Sequence, residues 1–496
     1  MAAFRKGDLR RARQLAEEQL AKSEQPPLLL HLMGLIECRA GRNDAALEWL
    51  KRASEADPQD IGIRIAYARL LADMGRIQEA LVEMEEGSRL ALARVLSDTG
   101  PNASTISAAN VVNVRELGLL LERSNQIDGL RQLLAATEKA GIARESLGSL
   151  WASVALREGR PEEARRLLLQ DHAYFDDAHW DRLMTKVADA LGDSDEAFAA
   201  ADAMNRAAAG YDEWRRRAAH YRSQIRATAQ IVTPEWASRI PHANPDERIA
   251  DPAFVVGFPR SGTTLLDTFL MGHSKTCVIE EGRMLELATG IISEAPGVDW
   301  PPELVMRARK VYVDELSRHV PPDFTGLVVD KHPMNMLRLA VLHALFPNAK
   351  VLFAQRHPCD VVLSGYMQSF RLNHAMASFL DLGDSADLYD ASMTMWTRSR
   401  DAVPQPIHTV VYERLIADPG AELRPAVEFV GLDWSDELLD HEATARSRGL
   451  ITTASFDQVV QPLNSAPSGR WRRYRKHLEP VLSVLLPWAE RLGYED

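Results

Sequence analysis

FVVGFPRSGTTLLDTFLMGHS, Phe254 to Ser274, joins a short apolar strand to a turn rich in Gly, Pro and Ser, and then to a helix opened by two threonines. A strand, a glycine-containing turn and a helix N-terminus aim backbone N–H groups and the positive end of the helix dipole at one point, which favours an anion. The nucleotide triphosphatase version of such a loop reads G-x-x-x-x-G-K-[ST], with the lysine on the terminal phosphates and the hydroxyl on magnesium. Here Gly262 precedes Thr263 and no lysine is available; Arg260 supplies a cation three residues before Thr263, and no clear magnesium carboxylate follows the next strand. The loop is expected to hold a phosphate-like group without metal-nucleotide chemistry, a bare tight turn being the alternative.

Three more β-rich runs accompany Phe254-Val255-Val256. Leu327-Val328-Val329 leads into Asp330-Lys331, Val351-Leu352-Phe353 into Gln355-Arg356, and Thr409-Val410-Val411 into Tyr412-Glu413. Continuous apolar runs suit strands buried on both faces, so the C-terminal half is expected to be an α/β domain of P-loop type, a mainly parallel sheet with helices on both faces. Ligands in such sheets sit at the carboxyl ends of the strands, which brings the four polar clusters to one rim.

Working back toward the N-terminus, Gly7, Gly41 and Gly75 stand 34 residues apart, each followed five positions later by alanine: Ala12, Ala46 and Ala80. Gly34 and Pro58 flank the middle copy, and after RVLSDTGPNASTISAAN the register resumes at Ser124/Gly129, Gly159/Ala164 and Gly192/Ala197. The glycine turns the chain, the small residue lets two helices approach, and the proline ends the second helix. This resembles the tetratricopeptide repeat, an α-helical solenoid whose stacked pairs form a groove that commonly receives a peptide or partner. The first copy lacks most of its leading helix, as if the chain started inside an array. From about Ser223 the prolines of QIVTPEWASRIPHANPDERIADPAF indicate a connector. The expected domains are residues 1–222 (repeats), 223–250 (linker) and 251–496 (α/β).

The whole chain fits two ordinary globular units: 496 residues, 46% hydrophobic and 26% charged. A formal charge of -12 argues against a general nucleic-acid binder. Cys38, Cys277 and Cys359 make neither a disulfide framework nor a zinc spacing and read as buried small hydrophobes. The N-terminal MAAFRKGDLRRARQLAEEQL lacks the apolar core of a secretory signal, and no stretch approaches the roughly 20 apolar residues of a membrane span, so a cytoplasmic location is expected.

PRSGTT, then RHPCDVVLSGY from Arg356 to Tyr366, then the basic run Gly469 to Lys476 resemble the 5′-phosphosulfate loop, 3′-phosphate motif and closing segment of the sulfotransferase family. The likeness is greatest to the protein-tyrosine sulfotransferases. Their Gly-Glu-Glu-Thr-Arg is matched by Ile279-Glu280-Glu281-Gly282-Arg283, and their Lys-Asp-Pro by Lys331-His332-Pro333, followed by a similar helix ending in Leu345-Phe346-Pro347-Asn348. The resemblance spans Asp251 to Tyr494. It implies 3′-phosphoadenosine 5′-phosphosulfate (PAPS) as donor, no metal, and an acceptor hydroxyl, with tyrosine in a protein or peptide held in the repeat groove as first expectation.

The resemblance also implies roles. Arg260, Ser261, Gly262, Thr263 and Thr264 hold the 5′-phosphosulfate; Arg356 and Ser364, eight residues apart, take the 3′-phosphate; Tyr412, Arg470, Arg472 and Arg473 complete the donor site, with Trp471 packing beneath. Lys331 stabilises the sulfuryl group and the departing oxygen. Glu281 is the general base, with Arg283 as its orienter or as a transition-state cation, and His332 is the alternative base. The family serine two residues before the tryptophan falls on Gly469, which leaves Ser468 as substitute donor. Residues from about Phe370 to Asp390 are expected to form the acceptor lid. A glycan, lipid or phenol sulfotransferase, a P-loop kinase or triphosphatase, and a non-enzymatic scaffold remain as competing functions.

Overall fold

The computed structural model describes all residues except 1–3, 5–7, 22–25, 75, 99–107, 125, 172–176, 245–249, 296–297, 448–462, 464–467 and 496. Gly75 and much of the irregular stretch after Asp98 therefore lie outside the described residues. The chain divides into two compact units, the first from Met1 to Asp193 and the second beginning at Ser194.

Antiparallel helix pairs build the first unit: Pro27–Arg39 with Asn43–Ala56, Ile61–Asp73 with Ile77–Asp98, Ala108–Arg123 with Ile127–Lys139, and Gly148–Arg157 with Pro161–Asp171. Gly41 turns the first pair at φ 73°, in the left-handed region that favours glycine. A Cβ on Gly34 would lie 2.5 Å from Leu50 Cγ, so the phase of small residues in the sequence is a record of helix–helix approach. Ala46, Ala80 and Ala164 are fully buried, and one apolar cluster runs unbroken from Ala46 to Val154. That continuity is what stacked repeats produce, since no single pair can cover its own apolar face.

The second unit starts about thirty residues earlier than the boundary expected at 222/223. Helices Ser194–Arg206 and Tyr211–Ile231 belong to it. The reason is electrostatic as well as apolar. Arg222 donates to Asp387 Oδ2 and Asp384 Oδ1, both at 2.7 Å, and Arg215 to Asp384 Oδ2 at 2.7 Å, while Ala218 packs with Ala377 and Leu380. The connector expected at 223–250 is helix as far as Ile231, and its first proline opens the short helix Pro234–Ala237, where Thr233 caps the Trp236 N–H at 3.2 Å. Pro234 starts a helix here, its fixed φ suiting the first helical position, rather than breaking one.

Five parallel strands form the sheet: β1 Ala253–Gly257, β2 Thr276–Glu280, β3 Leu327–Lys331, β4 Val351–Gln355 and β5 Ile407–Val411, in the order β2-β3-β1-β4-β5. β1 thus lies where the strand order reverses, and its carboxyl end opens on the crevice that such a switch point creates. β1 is buried along its whole length, as its uninterrupted apolar run requires. The edge strand β2 is absent from the sequence-based expectation, although TCVIE carries the three-residue apolar run Cys277-Val278-Ile279; as an edge strand it is mostly half-buried. Of the cysteines only Cys359 is buried; Cys38 and Cys277 are half-buried, the latter because it sits on that edge. Among the described residues no helix is long and apolar enough to cross a membrane.

Candidate functional site

The loop after β1 is shaped by contacts that tolerate little else. A Cβ on Gly257 would lie 2.7 Å from both the Ala354 carbonyl oxygen and Ser261 Oγ. Gly262 has φ 97°, and a Cβ there would meet Tyr412 Cδ2 at 2.5 Å. Counted from Gly257, the G-x-x-x-x-G spacing ends at Gly262, and Thr263 occupies the place of the nucleotide-loop lysine. Thr263 and Thr264 are buried in the first turn of helix Thr263–Met271, where N–H groups have no intrahelical partner. Ser261 is buried, and its Oγ has no hydrogen-bond partner among the described residues. A buried, unpaired hydroxyl costs about 1–3 kcal/mol, so an anion reaching it would recover that cost.

Arg260 is one of two non-glycine residues described with positive φ, at 73°; the other is Glu281, at 49°. Such backbone is held at a cost of roughly 1–3 kcal/mol per residue and clusters at functional sites. Both lie at this rim. The strain at Arg260 turns its side chain inward, where Nε donates to Ser364 Oγ at 3.0 Å, and its carbonyl accepts from Arg356 Nη1 at 3.1 Å. The three residues form one buried cluster, so Arg260 stands with the pair expected at the 3′-phosphate as well as in the loop. The Arg356 guanidinium lies 4.5 Å over the Tyr412 ring. Burial pushes the Tyr412 phenol up, and the Arg356 and Arg260 charges oppose that rise.

Lys331, the last residue of β3, is fully buried with Nζ 3.1 Å from Asp267 Oδ2, 3.2 Å from Glu280 Oε1 and 3.5 Å from Glu281 Oε1. Strand register explains the grouping: Glu280 is the β2 partner of Lys331, and the Glu281 N–H donates to the Lys331 carbonyl at 2.6 Å. Burial alone would lower the ammonium pKa, but the carboxylates of Asp267, Glu280 and Glu281 outweigh it and hold the lysine charged. Glu281 is half-exposed, so an incoming group can reach its carboxylate. His332 is pushed down to about 4, chiefly by burial, and is neutral at pH 7.

Other expected residues are placed differently. Arg283, expected to orient Glu281, is exposed and pairs instead with Glu286 at 2.9 Å. Trp471 is fully buried and stacks on His357 with ring centroids 5.1 Å apart, while Arg472 and Arg473 are exposed over the Trp471 and Tyr474 rings. Arg470 Nη2 lies 3.9 Å from Met367 Sδ, and Ser468 is half-buried. What fixes this segment is a residue that sequence reasoning missed: Asp360 accepts from the Gly469 N–H at 2.7 Å and the Trp471 N–H at 2.8 Å. Asp267 was missed too, although a lone carboxylate in the apolar helix TTLLDTFLM was a visible signal.

Residues 252–436 match the model of the sulfotransferase family, and residues 38–93 match a tetratricopeptide repeat. An uncharacterized protein of Aquifex aeolicus is 30% identical over 331 residues, which are 62% of this chain and 41% of that protein. Protein-tyrosine sulfotransferase 1 of Danio rerio is 26% identical over 264 residues, 49% of this chain and 72% of that protein. Its Homo sapiens counterpart is 25% identical over 269 residues, 49% of this chain and 69% of that protein. The chain therefore spans about two-fifths of the Aquifex relative's length and about seven-tenths of the two vertebrate enzymes. Its α/β segment is a sulfotransferase-family domain, carried on the same chain as tetratricopeptide repeats.

Proposed function

We propose that this protein transfers a sulfuryl group from PAPS to an acceptor hydroxyl, with a tyrosine side chain in a protein or peptide as the first candidate. The observation that carries the proposal is the side-by-side placement of Glu281 and Lys331, 3.5 Å apart at the ends of neighbouring strands, beside the loop after β1. The residues assigned to the donor support it: buried Arg260 donates to Ser364 and its carbonyl accepts from buried Arg356, and the Ser261 hydroxyl, without a hydrogen-bond partner among the described residues, lies in the same loop.

In this scheme the loop amides with Ser261, Thr263 and Thr264 hold the 5′ end, while Arg356, Ser364 and Arg260 hold the 3′-phosphate. PAPS, when bound, supplies an activated sulfuryl group whose transfer spreads charge over non-bridging oxygens, so fixed cations and in-line positioning matter most. Lys331 stands ready charged at that point. Glu281 accepts the proton of the attacking hydroxyl, which a phenol with a pKa near 10 does not lose unaided at neutral pH. His332, neutral but a weak base once its pKa has fallen to about 4, is the second candidate. Thr263 in place of lysine disfavours a kinase or triphosphatase.

The likeness to the protein-tyrosine sulfotransferases and the presence of repeats that commonly hold peptides support a peptide acceptor. Transfer of label from radiolabelled PAPS to tyrosine peptides, glycans and simple phenols tests it. Label on peptide tyrosine is the expected result, and label confined to glycans or small phenols would overturn the acceptor assignment.

A further inference from the structure

Ser364 lies two residues before the end of helix Pro358–Tyr366, and that end is held from outside the family match, by helix Ser194–Arg206. Tyr366 Oη donates to Asp202 Oδ1 at 2.9 Å, Asn205 Nδ2 donates to the Tyr366 carbonyl at 2.9 Å, and the Phe198 ring stacks on Tyr366 with centroids 5.1 Å apart. Asn205 and Tyr366 are buried, so the bond between them is shielded from competing water, while Asp202 is half-buried and its second oxygen accepts from Arg206 Nε at 2.8 Å.

The same helix grips the other side of the site. Asp195 accepts from Lys476 Nζ at 2.6 Å and from His477 Nε2 at 2.7 Å, and the Phe198 ring also stacks on His477, with centroids 4.4 Å apart and the planes nearly parallel. Lys476 and His477 open helix Arg475–Arg491, directly after the basic run Arg470–Tyr474. That run is tied back to helix Pro358–Tyr366 by Asp360, through the Gly469 and Trp471 N–H groups. Three elements thus close a ring of contacts: the helix that carries Ser364, the basic segment, and helix Ser194–Arg206.

Building on the assignment of Arg356 and Ser364 to the 3′-phosphate, we propose that helix Ser194–Arg206 is part of the donor site, with Asp202 and Asn205 as positioning residues. They fix the C-terminal turn of helix Pro358–Tyr366 and hence where Ser364 stands relative to Arg260 and Arg356. Hydrogen-bond geometry to an anion is steep, so a displacement of a fraction of an ångström at Ser364 is felt mainly by the 3′-phosphate. The phase of Gly192 and Ala197 makes this helix look like one more repeat, yet the polar groups it spends on Tyr366, Lys476 and His477 have no use in an array.

The test is calorimetry on the full chain with two nucleotides, adenosine 3′,5′-bisphosphate and 5′-AMP. Asp202→Ala and Tyr366→Phe are expected to weaken the bisphosphate by about three- to ten-fold, the worth of one well-formed hydrogen bond, and to leave 5′-AMP within about two-fold. Asp202→Asn, which keeps an acceptor for the Tyr366 hydroxyl, is expected to restore the preference. Tyr366→Phe removes a single oxygen and serves where Asp202→Ala unfolds, with thermal melts confirming the fold of each chain. Folded variants that keep the full preference, or lose both nucleotides equally, overturn the proposal. Arg356→Ala separates the two levels of argument. If it erases the preference while the Asp202 and Tyr366 variants keep it, the donor assignment stands and the positioning role falls; a wild-type chain indifferent to the 3′-phosphate overturns both.

Discussion

Lys331 and Asp267 form an ion pair with Nζ and Oδ2 3.1 Å apart and both side chains sealed from solvent. A buried pair contributes little against an apolar alternative, but losing one partner is costly because the other charge is stranded. Asp267→Ala is expected to lower the unfolding free energy by about 3 kcal/mol, the low end of the range for a broken buried pair, because Glu280 and Glu281 still face the lysine. Urea denaturation measures it, and the double variant Asp267→Ala/Lys331→Met is expected to recover part of the loss.

Glu281 and His332 are ranked by turnover. Glu281→Ala is expected to lower kcat by at least about 100-fold while leaving donor affinity nearly unchanged, since the proton is taken only in the transition state. His332→Ala is expected to cost much less. Steady-state kinetics with a phenolic acceptor at saturating PAPS decides, and the reverse ranking would make His332 the base.

Donor recognition is expected to need no magnesium. Adenosine 3′,5′-bisphosphate is expected to bind well ahead of AMP and ATP in the presence of a chelator, and Arg356→Ala to cost about 1.5–3 kcal/mol of that binding, the usual worth of a charge-assisted hydrogen bond. Tighter binding of magnesium-ATP in the same calorimeter would return the loop to nucleotide hydrolysis.

Gly262→Ala is expected to damage the loop more than its size suggests. The new Cβ has to bear φ 97° and displace a Tyr412 ring that Arg356 covers on one face. Strain of about 1–3 kcal/mol follows, with at least a ten-fold loss of bisphosphate affinity. Wild-type affinity in the variant would show that the loop geometry is not what holds the donor.

Asp330 gives a pH signature. Fully buried and bonded to the Tyr312 hydroxyl at 2.9 Å, it is pushed up to about 7 by burial, against an ordinary 3.8. The native state therefore holds a proton that the unfolded chain releases, so this group's contribution falls as pH rises between about 4 and 7, by about 4 kcal/mol in all. Asp330→Asn is expected to gain stability relative to wild type at pH 8 and little at pH 4. His332 runs the other way: with its pKa lowered to about 4, it costs stability as pH falls below 6.5. Urea titrations of the single variants at both pH values check the two signs.

The amino-acid sequence by itself determined the local parts of this protein. Four of five strands were legible because β1, β3, β4 and β5 carry apolar or β-branched runs, and the loop was legible because Gly257 and Gly262 each answer a backbone constraint. The repeats were legible because close helix approach demands a small residue at a fixed phase, as at Gly34 against Leu50. Only the tertiary structure decided which distant groups meet. The edge strand β2 has an apolar run of three, Cys277-Val278-Ile279, no different from what a helix or loop can carry, and only its pairing with β3 marks it as a strand. Asp267 and Asp360 acquire their partners 64 and more than 100 residues away, across strand register and helix packing that no local pattern encodes. Helix Ser194–Arg206 keeps the periodicity of a repeat but buries Ala197, Ala201 and Asn205 within the second unit, because amphipathic spacing specifies that a face will be covered and leaves open by what.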